Sequence, residues 1–486
     1  MSMIFLLLLA LSLISSNLFT QIVADSPMVV NPRISTDRSV DCTTIDMILA
    51  DLIDEGMSDE EQVLAVFNWI RRVIYHGDGP LELAFNFGMM VHSLGNGSCL
   101  RQTAPMALLL DRLGFESQNW THDGHHMMQV RYGGKWHCLD PHMNFWVRNR
   151  EGDIAGIEEL RADSTLAWNA VAEGRAVPGF LHCGDSPRWF AGRGQWQNDN
   201  YWPEIKVDEP FGRINLRRGE FITFNWSPGE LFYRDAWKFD FGAYHMCGIA
   251  DRADKANWPL YEPHAATVNG TKTYRHWAEG KIVYHPDLYS DNYRDGVVRM
   301  RNIVRLCPCF VLMPQDLRHD GEMTFLLDCP YVITGGSFAL QKGEQSGPVR
   351  AEVSLDGERS WIPLEVRDSR DSTLASYVEP LNGHTGKYHL KIIMAGDASL
   401  TTVDITTNFQ HNPYALPYLV PGENIVSVNA DTLGAPLRVE WAYAEGPDWN
   451  RTRKVSRTFR QPGEFRITVG GQKYPRNLSL TYGVLP

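Results

Sequence analysis

Three side chains of complementary chemistry follow one another between Asn96 and Phe145: Cys99, His125 and Asp140. A thiolate attacks carbonyl carbon readily, yet it needs a neighbouring imidazole to take and return a proton. The imidazole in turn needs a carboxylate that fixes its tautomer and stabilises its charged form. Cys99, His125 and Asp140 supply these roles in that order, and the reaction they predict is acyl transfer. The Cys99 thiolate would open an amide or ester, His125 would protonate the leaving group, and the thioester would pass to water or an amine. The Cys99 backbone N–H, at a helix start, is one candidate donor to the oxyanion. Read singly, each residue is better explained as core, because buried cysteines and satisfied histidines outnumber catalytic ones. Read as an ordered set, they favour chemistry.

That chemistry requires the histidine and the aspartate on one face of a sheet. The run from Gly124 to Pro141 contains two extended segments joined by Gly133-Gly134, and paired glycines between apolar and aromatic runs signal a two-residue hairpin turn. With that turn, Tyr132 faces Lys135, Arg131 faces Trp136 and Met127 faces Asp140. Side-chain alternation then places His125, Met127 and Gln129 on the face that carries Trp136, Cys138 and Asp140, with His126 pointing away. A loop of odd length would hand the role to His126.

The cysteine, in Gly95-Asn-Gly-Ser-Cys99, precedes an Ala- and Leu-rich run, Ala104 to Leu113, that stops at Gly114, a helix C-terminal signal. Two starts are open. Either Ser98 caps a helix beginning at Cys99, where the dipole favours the thiolate, or Pro105 opens the regular helix with Thr103 as cap and leaves Cys99 on a loop. Upstream, Ser58-Asp-Glu-Glu61 is a capping box. Val63, Phe67, Ile70 and Ile74 follow as an apolar stripe, with Arg71 and Arg72 in the last turn. Thr43 to Asp54 predicts a shorter helix, and Ile157 to Ala172 a further one. Gly77 to Leu94 reads as a loop region beside the cysteine, whose Phe85, Phe87, Met89 and Met90 serve the core or line a substrate groove.

Gly-Ser-Cys99 before an Ala/Leu helix, His125 opening a strand, then Gly-Lys-Trp136 and Leu-Asp140-Pro141, resembles the transglutaminase-like superfamily. The helix from Ser58 to Tyr75 resembles that superfamily's leading helix, so the resemblance covers roughly residues 43 to 146. It implies a papain-like Cys-His-Asp domain in an α+β front half. It also implies cysteine-dependent chemistry on amide bonds, of peptidase, amidase, deglycosylating or cross-linking type, with a protein, peptide or peptidoglycan-like substrate. Two positions depart from the superfamily's habit and bear on substrate preference: Met127 stands where an aromatic is common, and Gln129 where an acidic residue is frequent. No Asp-x-Asp-x-Asp-Gly loop is present to favour a calcium-dependent cross-linker. No cofactor and no metal is called for. The cluster His122, His125, His126, His137 and His142 is a metal candidate, but a zinc reading leaves Cys99 and its helix unexplained.

Residues 1 to 24 carry no charge, and Ile4 to Ile14 has the length of a signal-peptide core, short of the ~20 residues of a membrane span. A signal peptide over 1–24 and a secreted, periplasmic or cell-surface location are expected, with an uncleaved anchor as the alternative. A net charge of -12 and a pI near 5.7 argue against nucleic acid as partner. Eight cysteines suit an oxidising compartment, and Cys329 is a candidate to bridge to Cys307 or Cys309 across neighbouring strands.

Beyond Ile205, short alternating runs such as Phe221 to Asn225, Arg350 to Ser354 and Tyr388 to Ile393 are broken by Asp356-Gly357 and Asn382-Gly383, the texture of β-sandwiches. The expected organisation is a transglutaminase-like domain over 25–200, a β-rich domain over 205–301, a β-sandwich over 302–410 and a small β-rich domain over 411–486. The front domain is expected to be separable near Ala191, in a connector rich in Gly, Pro and Trp. A second class of function stands beside the enzyme. A non-catalytic extracellular binding protein would keep the front domain as scaffold and use its β domains, with some of the fifteen tryptophans, to hold polysaccharide or protein.

Overall fold

The main helices lie early in the chain, and each follows from a local signal. The computed structural model describes residues 20–22, 27–76, 83, 85–122, 124–142, 145–167, 196–198, 201–226, 265–268, 271–274, 278–306, 311–343, 347–368 and 373–486. Helix α1 (Ile45–Leu52) starts at Thr44, whose side chain accepts from the Met47 N–H, and buries Ile45, Ile48 and Leu49. Helix α2 (Asp59–Val73) starts at the Ser58/Glu61 capping box with both of its bonds formed, and buries Val63, Phe67 and Ile70. Helix α3 (Cys99–Arg112) ends where Gly114 takes a φ of 89°. Helix α4 (Ile157–Ala162) is the first part of the expected 157–172, which breaks at 163–164 and is helical again over 165–167. It stops at Asp163, whose carboxylate accepts from the Thr165 N–H in a competing local turn; residues 168–172 lie outside the described residues.

The stretch read as loop before the cysteine is helical over Phe87–Met89 and Met90–Leu94. The Asn86 side chain caps it by accepting from the Met89 N–H. Phe87 and Met90 are fully buried, Phe87 against Phe211 with ring centroids 5.2 Å apart.

Strands β1 (Glu116–His122), β2 (His125–Tyr132), β3 (Lys135–Leu139) and β4 (Trp196–Asn198) form an antiparallel sheet in the order β3-β2-β1-β4. Both faces of this sheet are covered. Met128, Val130 and Leu139 pack into the core of α1, α2 and α3, while Met127 and Cys138 pack with Phe145, Ile157 and Leu160 beneath α4.

The rest is β-rich and more continuous than the expected boundaries at 205, 302 and 411 allow. The strands are β5 (Glu220–Asn225), β6 (Ala278–Tyr284), β7 (Gly321–Lys342), β8 (Val349–Ser354), β9 (Ile362–Leu364), β10 (Thr385–Met394), β11 (Leu400–His411), β12 (Leu437–Glu445), β13 (Arg451–Phe459) and β14 (Arg476–Val484). They hydrogen-bond in the order β9-β8-β10-β7-β11-β6-β5-β14-β12-β13, every pair antiparallel. One core runs beneath them from Val29 to Val484. Arg217 and Glu220, 4% and 2% exposed, form a buried bidentate pair, with the Arg217 guanidinium over the Tyr284 ring. This geometry makes burial of two charges tolerable.

Earlier residues are also built into this half. Val29–Val30 pairs with Asn215–Leu216 and Thr432–Leu433, and Arg33–Thr36 pairs along Val426 to Asn429. Thr20–Ile22, inside the expected leader, pairs with Arg299 to Arg301; residues 1–19 lie outside the described residues. Among the described residues, no helix is long and apolar enough to cross a membrane.

The two halves are joined through Asn412, which is fully buried. Its Nδ2 donates to the carbonyls of Val73 (2.9 Å) and Val91 (2.7 Å), and its backbone N–H donates to His92 (2.7 Å). Gln410 donates to the Ser93 carbonyl, and the Ser93 hydroxyl accepts from the Val332 N–H. The composition of the connector near Ala191 signals irregular backbone. It carries no information about these contacts, which any cut there would strip from the helices.

Candidate active site

The nucleophile candidate is set by how α3 begins. Ser98 has extended backbone at the N-cap position, so the helix starts at Cys99 rather than at Pro105, but the Ser98 side chain makes no cap bond. The first N–H groups of the helix are therefore not taken by that hydroxyl and are candidate oxyanion donors. Pro105 is accommodated inside the helix. Two residues earlier, Thr103 Oγ1 donates to the carbonyls of Cys99 (3.1 Å) and Leu100 (3.3 Å). Gln102 Nε2 donates to the Ile74 carbonyl at 2.6 Å and ties α3 to the end of α2. Gly97 is required by space, since a Cβ there would lie 2.7 Å from the Arg101 Cβ.

The base candidate is set by the hairpin. Gly133 and Gly134 take φ values of 57° and 76°, and Tyr132 pairs with Lys135 and Arg131 with Trp136, the register expected of a two-residue turn. His125 and Asp140 consequently share a face. His125 Nε2 donates to Asp140 Oδ2 at 2.6 Å, with the carboxylate fully buried and the imidazole 13% exposed. Asp140 is fixed through its backbone, which exchanges hydrogen bonds with Phe145 in both directions, and the next carbonyl, of Pro141, accepts from Arg71 Nε at 3.2 Å. With Nε2 engaged, Nδ1 is the nitrogen left for the thiol. Cys99 Sγ lies at the head of β2, where the His126 backbone N–H donates to it at 3.4 Å.

Electrostatics bind the three together. Burial pushes the His125 pKa down, but the Asp140 carboxylate and the Cys99 thiol outweigh it and raise it to about 10. The folded-state value lies above the unfolded one of about 6.5. The stabilisation is therefore complete below about pH 6.5 and is lost as the pH rises through about 10. The melting-temperature gap between the native chain and Asp140→Asn should be wide at pH 6 and narrow steadily toward pH 10. A gap that stays constant across that window would exclude a charged His125.

The other histidines separate. His126 Nδ1 meets Asn119 Oδ1 at 3.2 Å, His137 bonds the carbonyls of Ile154 and Tyr132, and His122 packs against Trp196. The five-histidine metal cluster therefore does not assemble, because the alternation of β2 and β3 sends its members to opposite faces. His142 does reach the site, its ring edge-on to His125 with centroids 5.0 Å apart. Cys99 Sγ and ring nitrogens of His125 and His142 lie within 4.8 Å of one another. The sequence signal for His142 is its position, two residues after the orienting carboxylate.

Four described cysteines are free thiols, and Cys99 is the half-buried one; Cys42, Cys138 and Cys329 are buried. Burial pushes the thiol pKa of each of those three up, which keeps them protonated and inert. Cys138 lies on the same face as Met127, as the hairpin parity requires, but it is sealed in the core under α4. The expected bridge from Cys329 is not formed; Cys307 and Cys309 lie outside the described residues. Gln129 Oε1 accepts from the Ile157 N–H at 2.9 Å and so holds the start of α4. Phe85 and Met89, with Phe211, Lys206 and Arg213, line a cavity of about 620 Å³ whose wall includes neither Cys99 nor His125.

No family model matches the chain, and no curated protein matches it. Among solved structures it is similar to the full-length RrgB pilus protein of Streptococcus pneumoniae, at 8% identity and a TM-score of 0.15, over 57% of this chain and 56% of that one. It is similar to the RrgB pilus backbone of the same organism at 8% identity and a TM-score of 0.13, over 36% and 43%. The chain spans about half the length of these pilus structures or less. Similarities at such TM-scores carry no argument about fold or function.

Proposed function

We propose that the chain is an exported, cysteine-dependent acyl-transfer enzyme with a transglutaminase-like front half. In it Cys99 acts as nucleophile, His125 as proton carrier and Asp140 as the group that orients His125. The observation that carries the reading is the 2.6 Å bond between His125 Nε2 and the buried Asp140, with a ring nitrogen of the same His125 within 4.8 Å of the half-buried Cys99 sulfur. Cys99 attacks the carbonyl carbon of an amide or ester while its proton resides on His125. The oxyanion that forms meets the N–H groups of the first turn of α3, His125 returns the proton to the leaving amine or alcohol, and a thioester remains. Water or an amine then attacks the thioester, with His125 taking its proton and the Cys99 thiolate leaving. The substrate class is an amide of protein, peptide or peptidoglycan type, and the β half is proposed to hold the polymer that presents it. Export rests on the apolar segment Ile4 to Ile14.

The test is thiol labelling of the intact chain. Iodoacetamide at neutral pH should modify Cys99 at least tenfold faster than Cys42, Cys138 or Cys329, as read by peptide mass mapping. Cys99→Ala should abolish fast labelling and all turnover, with little change in melting temperature. Labelling of Cys99 no faster than that of the buried thiols would sink the reading.

A further inference from the structure

We propose that Cys99, His125 and His142 together bind a thiophilic divalent cation of the Zn²⁺ class, and that the bound ion shuts off the thiol. The shut-off rests on Cys99 being the nucleophile, as proposed above; the binding does not.

The donor set is one sulfur and two imidazole nitrogens, the combination that selects zinc-like ions over hard cations. The nearby carboxylate, Asp140, is fully buried and already bonded to His125, so it is not offered to calcium or magnesium. The three donor atoms lie within 4.8 Å of one another. Bond lengths of about 2.3 Å to sulfur and 2.0 Å to nitrogen place tetrahedral donors roughly 3.3–3.6 Å apart, so closure by about an ångström suffices. Rotation of half-buried side chains supplies a movement of that size.

The surroundings are already those of a metal-binding imidazole. A histidine that binds metal through one nitrogen is held by a carboxylate on the other, and the Asp140 bond to Nε2 assigns Nδ1 to the metal in that way. His142 is positioned by the turn that follows Asp140, where Arg71 holds the Pro141 carbonyl and the His142 ring stands at 90° to that of His125. All three ligand residues are partly buried and withdrawn from bulk water, so side-chain movement must admit the ion. An ion there occupies the space between thiol and imidazole, engages the sulfur lone pair and the basic nitrogen at once, and sends the proton they share to solvent.

The experiment uses the intact chain and two metals. Co²⁺ added to metal-free protein should give one equivalent of tetrahedral visible bands with a thiolate-to-cobalt charge-transfer band, displaced by Zn²⁺. Equimolar Zn²⁺ should slow iodoacetamide labelling of Cys99 at least tenfold. Asp140→Asn, which keeps the shape of the side chain, should weaken Zn²⁺ binding by about 10–100-fold, and His142→Ala or His142→Gln should lower the protection at least as much. Cys99→Ser should remove the charge-transfer band. Fast metal-free labelling with no cobalt band would overturn the inference and leave the enzyme reading standing. A cobalt band with slow metal-free labelling would keep the site and remove the nucleophile. A charge-transfer band that survives Cys99→Ser, or protection untouched in both His142 variants, would overturn the proposed ligand set.

Discussion

His125→Ala should slow acylation of Cys99 by an activated ester about 10²–10⁴-fold, while His126→Ala should change it no more than a few-fold. The two residues are chain neighbours, so the contrast isolates side-chain direction. His125 is bonded to Asp140, whereas the His126 ring meets Asn119; what His126 gives the site is its backbone N–H, which alanine retains. Asp140→Asn should fall between the two. It keeps the size of the side chain but loses the charge that raises the His125 pKa, and an amide can hold the imidazole in the wrong tautomer. Ester hydrolysis measured on variants with unchanged circular dichroism checks the series. An inactive His126→Ala beside a normal His125→Ala would overturn both the hairpin parity and the triad.

Asn412→Ala should lower global stability by about 2–5 kcal/mol, because it strands two buried carbonyls, each worth about 1–3 kcal/mol, and opens a small void. The reason lies in helix ends. Val73 is the last residue of α2, so its carbonyl is one that the helix cannot satisfy, and Asn412 satisfies it. The same amide bonds Val91, and its side chain lies so close to Gly95 that a Cβ there would meet it at 2.8 Å. Gly95 opens the segment that delivers Cys99. The variant should therefore lose Cys99 reactivity as well as stability, read by urea unfolding and by iodoacetamide labelling of the same samples. A fragment ending near Ala191 removes the same bolt and should be insoluble or unreactive, contrary to the separability that the connector suggests.

What was legible in the sequence was local. The Gly133-Gly134 turn fixed the register of β2 and β3, because two residues of positive φ leave a single parity, and the Ser58/Glu61 box fixed the start of α2. The candidate site followed from those two elements and from α3. Pro105 left the start of α3 open, since a proline inside a helix and a proline at its first turn read alike; the structure keeps it inside. The pairings of Arg33–Thr36 with Val426 to Asn429, and of β5 with β14, were not legible, because alternation says which face a residue occupies and nothing about which distant strand lies beside it. Asn412 was hidden for the same reason. An asparagine before a proline reads as a turn, and it is one, with Tyr414 donating to its side-chain oxygen. That its amide also caps two elements of the other half depends on the tertiary fold.

The place of β14 between β5 and β12 has a consequence for how the molecule is made. β5 leaves the ribosome about 250 residues ahead of the strand that must lie beside it, and at 5–20 residues per second it waits roughly 13–50 s with an open edge. Such distant pairings are slow to form, and an open edge invites association with other nascent chains. Cys99 waits longer still for Asn412. During synthesis the thiol, the imidazole and the carboxylate are all present, but the framework that holds them in register is not. On the proposed function, the newborn polypeptide would be chemically silent, and competence would arrive only once Asn412 has docked on the carbonyls of Val73 and Val91.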